Sequence, residues 1–121
     1  MKMKAILIDV KANELRYVEV TKDSEGSSLK SMYKHIGCDL VQPIQIDLQN
    51  DVFVDEEGLL KLDADSKFFA YGMYPQPLAG NGLILGIDHE TGETISTTLT
   101  LEEVREKVFI IDMQTIRAVY C

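Results

Sequence analysis

At 121 residues, with 45% hydrophobic and 26% charged side chains, the chain has the size and composition of one folded domain, residues 1–121, and not of a disordered segment. Its net charge of −8, from 12 Lys and Arg against 20 Asp and Glu, excludes DNA and RNA as expected partners, because a phosphate backbone calls for clustered bases. The acids are interspersed with the bases and form no stripes, so the charge points to solubility rather than to imitation of DNA.

The basic start Met1-Lys2-Met3-Lys4 is followed by an apolar run, Ala5 to Ile8, that Asp9 breaks at once. That is a strand and not an export signal. No apolar stretch approaches the roughly 20 residues of a membrane span, so a cytoplasmic protein with no membrane partner is expected. Residues 5–10 alternate, with Leu7 suggesting cover on both faces, and Lys11 to Glu14 supply a turn into a second strand over 15–20. Ser27-Ser28 can cap a helix carrying Leu29, Met32, Tyr33 and Ile36, which Gly37 can close in the left-handed conformation. Ile44, Ile46 and Leu48 alternate with polar residues, and Pro43 marks an edge or a bulge. Gln49-Asn50-Asp51 reads as the turn to a strand over 52–54, which Asp55-Glu56-Glu57-Gly58 ends. A short apolar piece spans 59–62, and residues 67–78 carry Phe68, Phe69, Tyr71 and Tyr74 among glycine and prolines.

Leu83 to Ile87 is a near-continuous apolar run of the kind found in a strand buried on both faces, with a partner over 94–99 beyond the Thr91-Gly92 turn. Thr100-Leu101-Glu102-Glu103 matches a capping box and starts a helix with Leu101, Val104 and Val108 on one face and a Glu103/Lys107 pair on the other. Phe109-Ile110-Ile111 reads as a last strand before a short tail. The expected fold is α+β: a largely antiparallel sheet with two short helices packed on it, in a single domain.

No complete catalytic or metal set stands out. Gly80-Asn81-Gly82 has the wrong spacing for a dinucleotide fingerprint and leads into a strand rather than a helix, so a tight turn is the expectation. Asp55, Glu56, Glu57, Asp63 and Asp65 form the densest acidic cluster, but no Gly or Glu falls where a calcium loop needs it, and a solvated turn is expected. His35 and Cys38 lie three apart without a second pair to complete a zinc site, and His89 lacks the second His of H-E-x-x-H. Cys38 and Cys121 form no C-x-x-C unit and read as reduced thiols. The expectation is therefore no catalytic residue, no metal and no cofactor. In Tyr71, Met73 and Tyr74, flanked by Gly72, Pro75 and Pro77, amphipathic rings suit either core packing or contact with a partner.

The segments "PIQID", "DVFVDEEGLLKL" and "LAGNGLILG" resemble the phage and plasmid family known as domain of unknown function 3846, over about Leu29 to Ile111. The shared pattern is a helix leading to a strand, a Glu-Glu-Gly turn and a Gly-Asn turn feeding a hydrophobic strand. Where that family is expected to carry Pro-x-Asn after the turn, this chain has Asp63-Ala64-Asp65-Ser66-Lys67. The resemblance implies a mobile-element setting and no particular reaction. The resulting expectation is a non-enzymatic accessory protein that binds a host protein, in a counter-defence role, through Tyr71, Tyr74, Gly80, Asn81 and Gly82. The alternative is a module that binds or sequesters a small nucleotide-like ligand, with the tyrosines stacking on a base and Lys61, Lys67 and Arg105 as scattered cations. A thiol or acid/base enzyme using Cys38 or the acidic turn is a third reading. Monomer and homodimer are equally compatible with the sequence.

Overall fold

In the computed structural model, which describes residues 2–120, the opening segment forms β1 (Lys2–Asp9) and returns as β2 (Glu14–Thr21), paired antiparallel along their whole length. Helix α1 (Leu29–Ile36) ends at Gly37, whose φ of 83° directs its N–H and that of Cys38 back to the Tyr33 carbonyl. Then follow β3 (Val41–Gln45), β4 (Asn50–Asp55), a 3-10 turn at Gly58–Lys61, β5 (Lys67–Tyr71), β6 (Leu78–Ala79), β7 (Gly82–Ile87) and β8 (Thr94–Ile95). Helix α2 (Leu101–Arg105), β9 (Val108–Asp112) and helix α3 (Met113–Tyr120) come last.

All the strand pairings are antiparallel, in two sheets. One has the order β2-β1-β7-β4-β3 with β8 beside β7, and the other has the order β6-β5-β9. Period-two alternation explains the layering. Met3, Ala5 and Leu7 of β1, Phe53 of β4, and Leu83 and Leu85 of β7 pack with Met32 and Ile36 of α1. Their neighbours Ile6, Ile8, Val52, Val54 and Ile84 pack on the opposite side with Phe69 and Tyr71 of β5 and Val104 of α2. The larger sheet is thus a middle layer, which is why its central strands are apolar on both faces.

The α+β class and the antiparallel sheet are as expected, but there are two sheets and three helices. Residues 113–120, read as a tail, form α3, started by Asp112, whose carboxylate accepts the Thr115 N–H (2.8 Å). Helix α2 stops at Arg105, so Val108 belongs to β9 and Lys107 lies outside the helix. Glu103 does not pair with Lys107; its carboxylate accepts the Thr100 N–H (3.1 Å) in the expected capping box. The second hairpin turns earlier than predicted, over 46–49, because Asp47 Oδ1 accepts the N–H groups of both Gln49 and Asn50 (2.7 Å each). Pro43 does lie in an edge strand, β3. Ser28 occupies the N-cap of α1 without capping it, its hydroxyl being paired with that of Thr94 at 3.1 Å. Beyond β8, residues 96–99 are not strand, and the Thr97 N–H instead reaches the Lys4 carbonyl (2.9 Å).

Candidate functional site

The acidic turn after β4 is held by its own polar groups. Asp55 accepts the Glu57 N–H through Oδ1 and the Lys61 ammonium through Oδ2, both at 2.9 Å, and the Glu57 carbonyl accepts the Leu60 N–H (2.9 Å). The Glu56 N–H ties the turn to the Leu40 carbonyl (3.1 Å). Gly58 lies so close to β6 that a Cβ there would stand 3.2 Å from both the Cβ and the carbonyl oxygen of Ala79. A second small turn follows, in which Asp63 Oδ1 accepts the Asp65 N–H and Ser66 Oγ accepts the Asp63 N–H, both at 2.8 Å. Between the two, Leu59 and Leu60 project into solvent, 68% and 82% exposed, with five carboxylates flanking them along the chain.

Under this rim lies a cleft of about 590 Å³. Asp55, Gly58 and Lys61 bound it on one side, Lys67 at the start of β5 on another, and Lys11 and the Gly80-Asn81 turn complete it. Asn81 is fixed by its Oδ1, which accepts the Val10 N–H (3.0 Å) and so joins the turn to the end of β1. Cys38 is buried, and its thiol is pushed up by that burial and by the negative charge of Asp55. It stays protonated and is a poor nucleophile. His35 donates Nε2–H to the Glu19 carbonyl (2.7 Å). Among the described residues no three His, Cys, Asp or Glu side chains converge as they would around a metal ion, and no helix is long and apolar enough to cross a membrane.

The predicted contact residues separate. Gly80 and Asn81 line the cleft. Gly82 is buried in β7, where a Cβ would meet Phe69 Cζ at 2.6 Å, so its role is close packing. Tyr71, expected as a contact residue, is a core residue at 5% exposure, because β5 turns its odd-numbered side chains onto the larger sheet. Tyr74 is half-buried against the same cluster, and the large apolar side chain that this aromatic loop presents to solvent is Met73. Of the scattered cations, Lys61 and Lys67 meet in the cleft, while Arg105 lies apart, beside Asn13, Glu14 and β9. The exposed Leu59-Leu60 pair was visible in the sequence as an apolar piece inside an acidic run, and that contrast was its signal. Cys121 lies outside the described residues.

Fold and cleft define a three-layer α+β protein, helix on sheet on sheet, with a polar cleft under an acidic rim. The chain belongs to the family described as domain of unknown function (DUF3846), whose model matches residues 3–109. It is also similar to a protein of Sinorhizobium fredii (strain NBRC 101917 / NGR234) described as uncharacterized protein y4iR, 36% identical over 85 residues. Those residues are 70% of this chain and 50% of that protein, so the chain spans about half the length of the curated relative it matches. No solved structure matches the chain.

Proposed function

We propose that this chain is a non-enzymatic protein-binding module that presents the Leu59-Leu60 turn to a partner with an apolar pocket rimmed by Lys and Arg. One observation carries the reading: two adjacent leucines, 68% and 82% exposed, are held outward by a hydrogen-bonded turn and flanked by Asp55, Glu56, Glu57, Asp63 and Asp65. Burying apolar surface supplies affinity, and the carboxylates steer a basic partner and select against others. Anionic lipid, nucleic acid and a second copy of this chain, itself at −8, would all meet repulsion at this tip. In the phage or plasmid setting that the family resemblance implies, the partner is a host protein of the cytoplasm, and blunting a defence system is the purpose that suits it.

The test compares wild type with the Leu59→Ser/Leu60→Ser double variant as baits, each captured protein being identified and its charge noted. A basic partner that is retained at low salt, released at high salt and lost with the variant supports the reading. Each leucine contributes about 1.5–3 kcal/mol on burial, so losing both should weaken binding by roughly a hundredfold or more. A partner held equally well by the double variant, or one of acidic charge, would refute it.

A further inference from the structure

We infer that the cleft beneath the acidic rim binds a small hydroxylated phosphate ester of the sugar-phosphate class, independently of what the leucine tip contacts. The charges lining it are unequally committed. Asp55 is engaged by Lys61 and the Glu57 N–H, and Asp63 by the Asp65 N–H within its own turn. Lys11 and Lys67 form no ion pair among the described residues. Asp112, opposite Lys67 in the β5-β9 register, accepts the Thr115 N–H (2.8 Å), the main cause that lowers its carboxyl, and the Lys67 charge acts on it more weakly without forming an ion pair. Asn81 adds a third donor. With Oδ1 held by the Val10 N–H, its amide is oriented, and Nδ2 has no protein partner among the described residues.

Two ammonium groups and an amide donor suit an oxyanion rich in acceptors, and a phosphate monoester offers three such oxygens. The volume of about 590 Å³ exceeds what a bare phosphate fills and lies within the range of small-molecule sites. No Phe or Tyr lines the cleft, and its one aromatic ring, His35, is tied through Nε2–H to the Glu19 carbonyl (2.7 Å), so a nucleobase would find a single imidazole and no pair of rings to stack between. Asp65 has an exposed carboxylate that accepts no hydrogen bond among the described residues, and it can take the hydroxyls of a polyol. Phosphate at Lys11, Lys67 and Asn81 and hydroxyls at Asp65 account for both kinds of lining.

The experiment is a titration of the isotope-labelled chain followed by amide chemical shifts, using ribose 5-phosphate, ribose, inorganic phosphate and adenine in parallel. Ribose 5-phosphate should shift the amides of Lys11, Gly58, Gly80 and Asn81, inorganic phosphate should bind more weakly, and ribose and adenine should leave them in place. Lys11→Ala and Lys67→Ala should each weaken binding about tenfold, equivalent to ~1.4 kcal/mol. Lys30→Ala, outside the cleft, should not. Absence of shifts at millimolar ribose 5-phosphate, inorganic phosphate binding as tightly as the ester, or equal weakening by Lys30→Ala would overturn the assignment. A thermal melt of each lysine variant separates lost binding from lost folding.

Discussion

The Tyr71 phenol is pushed up to about 12, mainly by burial and further by the charges of Asp47 and Glu103. A ring so placed contributes to the core and not to a contact surface. Tyr71→Ala should destabilise the protein by about 3–5 kcal/mol, and Tyr71→Phe by less than about 1 kcal/mol, as denaturant unfolding would measure. If Tyr71→Phe instead abolished partner binding while stability held, the ring's assignment to the core would be wrong. Two aspartates carry opposite pH dependence. Burial favours a higher value for Asp9, but the Ala12 N–H and the Arg16 guanidinium, 3.0 Å away, outweigh it and hold the carboxyl below its ordinary 3.8. Its stabilising effect is therefore present above the unfolded value and lost as pH falls through the lower folded one. Asp51 is raised by burial and by Asp47, with His89 opposing, so ionising it costs stability as pH rises through its folded value. Asp9→Asn should lower Tm at neutral pH and Asp51→Asn should raise it, and both differences should shrink in acid. Thermal melts across that range check the signs. At Gly80-Asn81-Gly82 the tight turn was legible from residue type, whereas the clash that requires Gly82 was not, since Phe69 reaches it from a different sheet.

At the scale of elements, local chemistry carried the clearest signals. The Thr100/Glu103 capping box is made in both directions, and Gly37 closes α1 where a left-handed residue was expected. Because α2 is only five residues long, its cap is a large share of what holds it. Thr100→Ala should cost about 1 kcal/mol and lower Tm, with Thr100→Ser restoring most of the loss. A cap contributing nothing would leave both variants at the wild-type Tm. The elements that were misplaced have equally local causes. Asp47 moves the β3-β4 turn by offering its carboxylate to two backbone donors, and the Asp112/Thr115 bond starts a helix in a stretch short enough to pass for a tail although its sequence spaces Met113, Ile116 and Tyr120 at i, i+3 and i+7. An Asp three residues ahead of a Thr is a start signal that could have been read. Even so, the Lys107 carbonyl goes to the Gly72 N–H (2.8 Å), a partner 35 residues away that no local pattern could supply.

Over the whole molecule, β1, β4 and β7 contribute to both hydrophobic clusters, so neither cluster can open without losing the middle layer. Unfolding should be a single cooperative transition, with far-ultraviolet circular dichroism and tyrosine fluorescence superimposing; separated midpoints would mean that the smaller sheet melts alone. The apolar alternation of β1, the unbroken apolar run of β7 and the turn and cap residues were properties of the chain, because each depends on side-chain period or backbone preference within a few residues. The burial of Tyr71, the splitting of the strands into two sheets and the meeting of Lys11, Lys61 and Lys67 around one cleft were decided only in three dimensions. An exposed and a buried tyrosine carry the same local pattern, and which of them a strand produces is settled by the surface that folds against it.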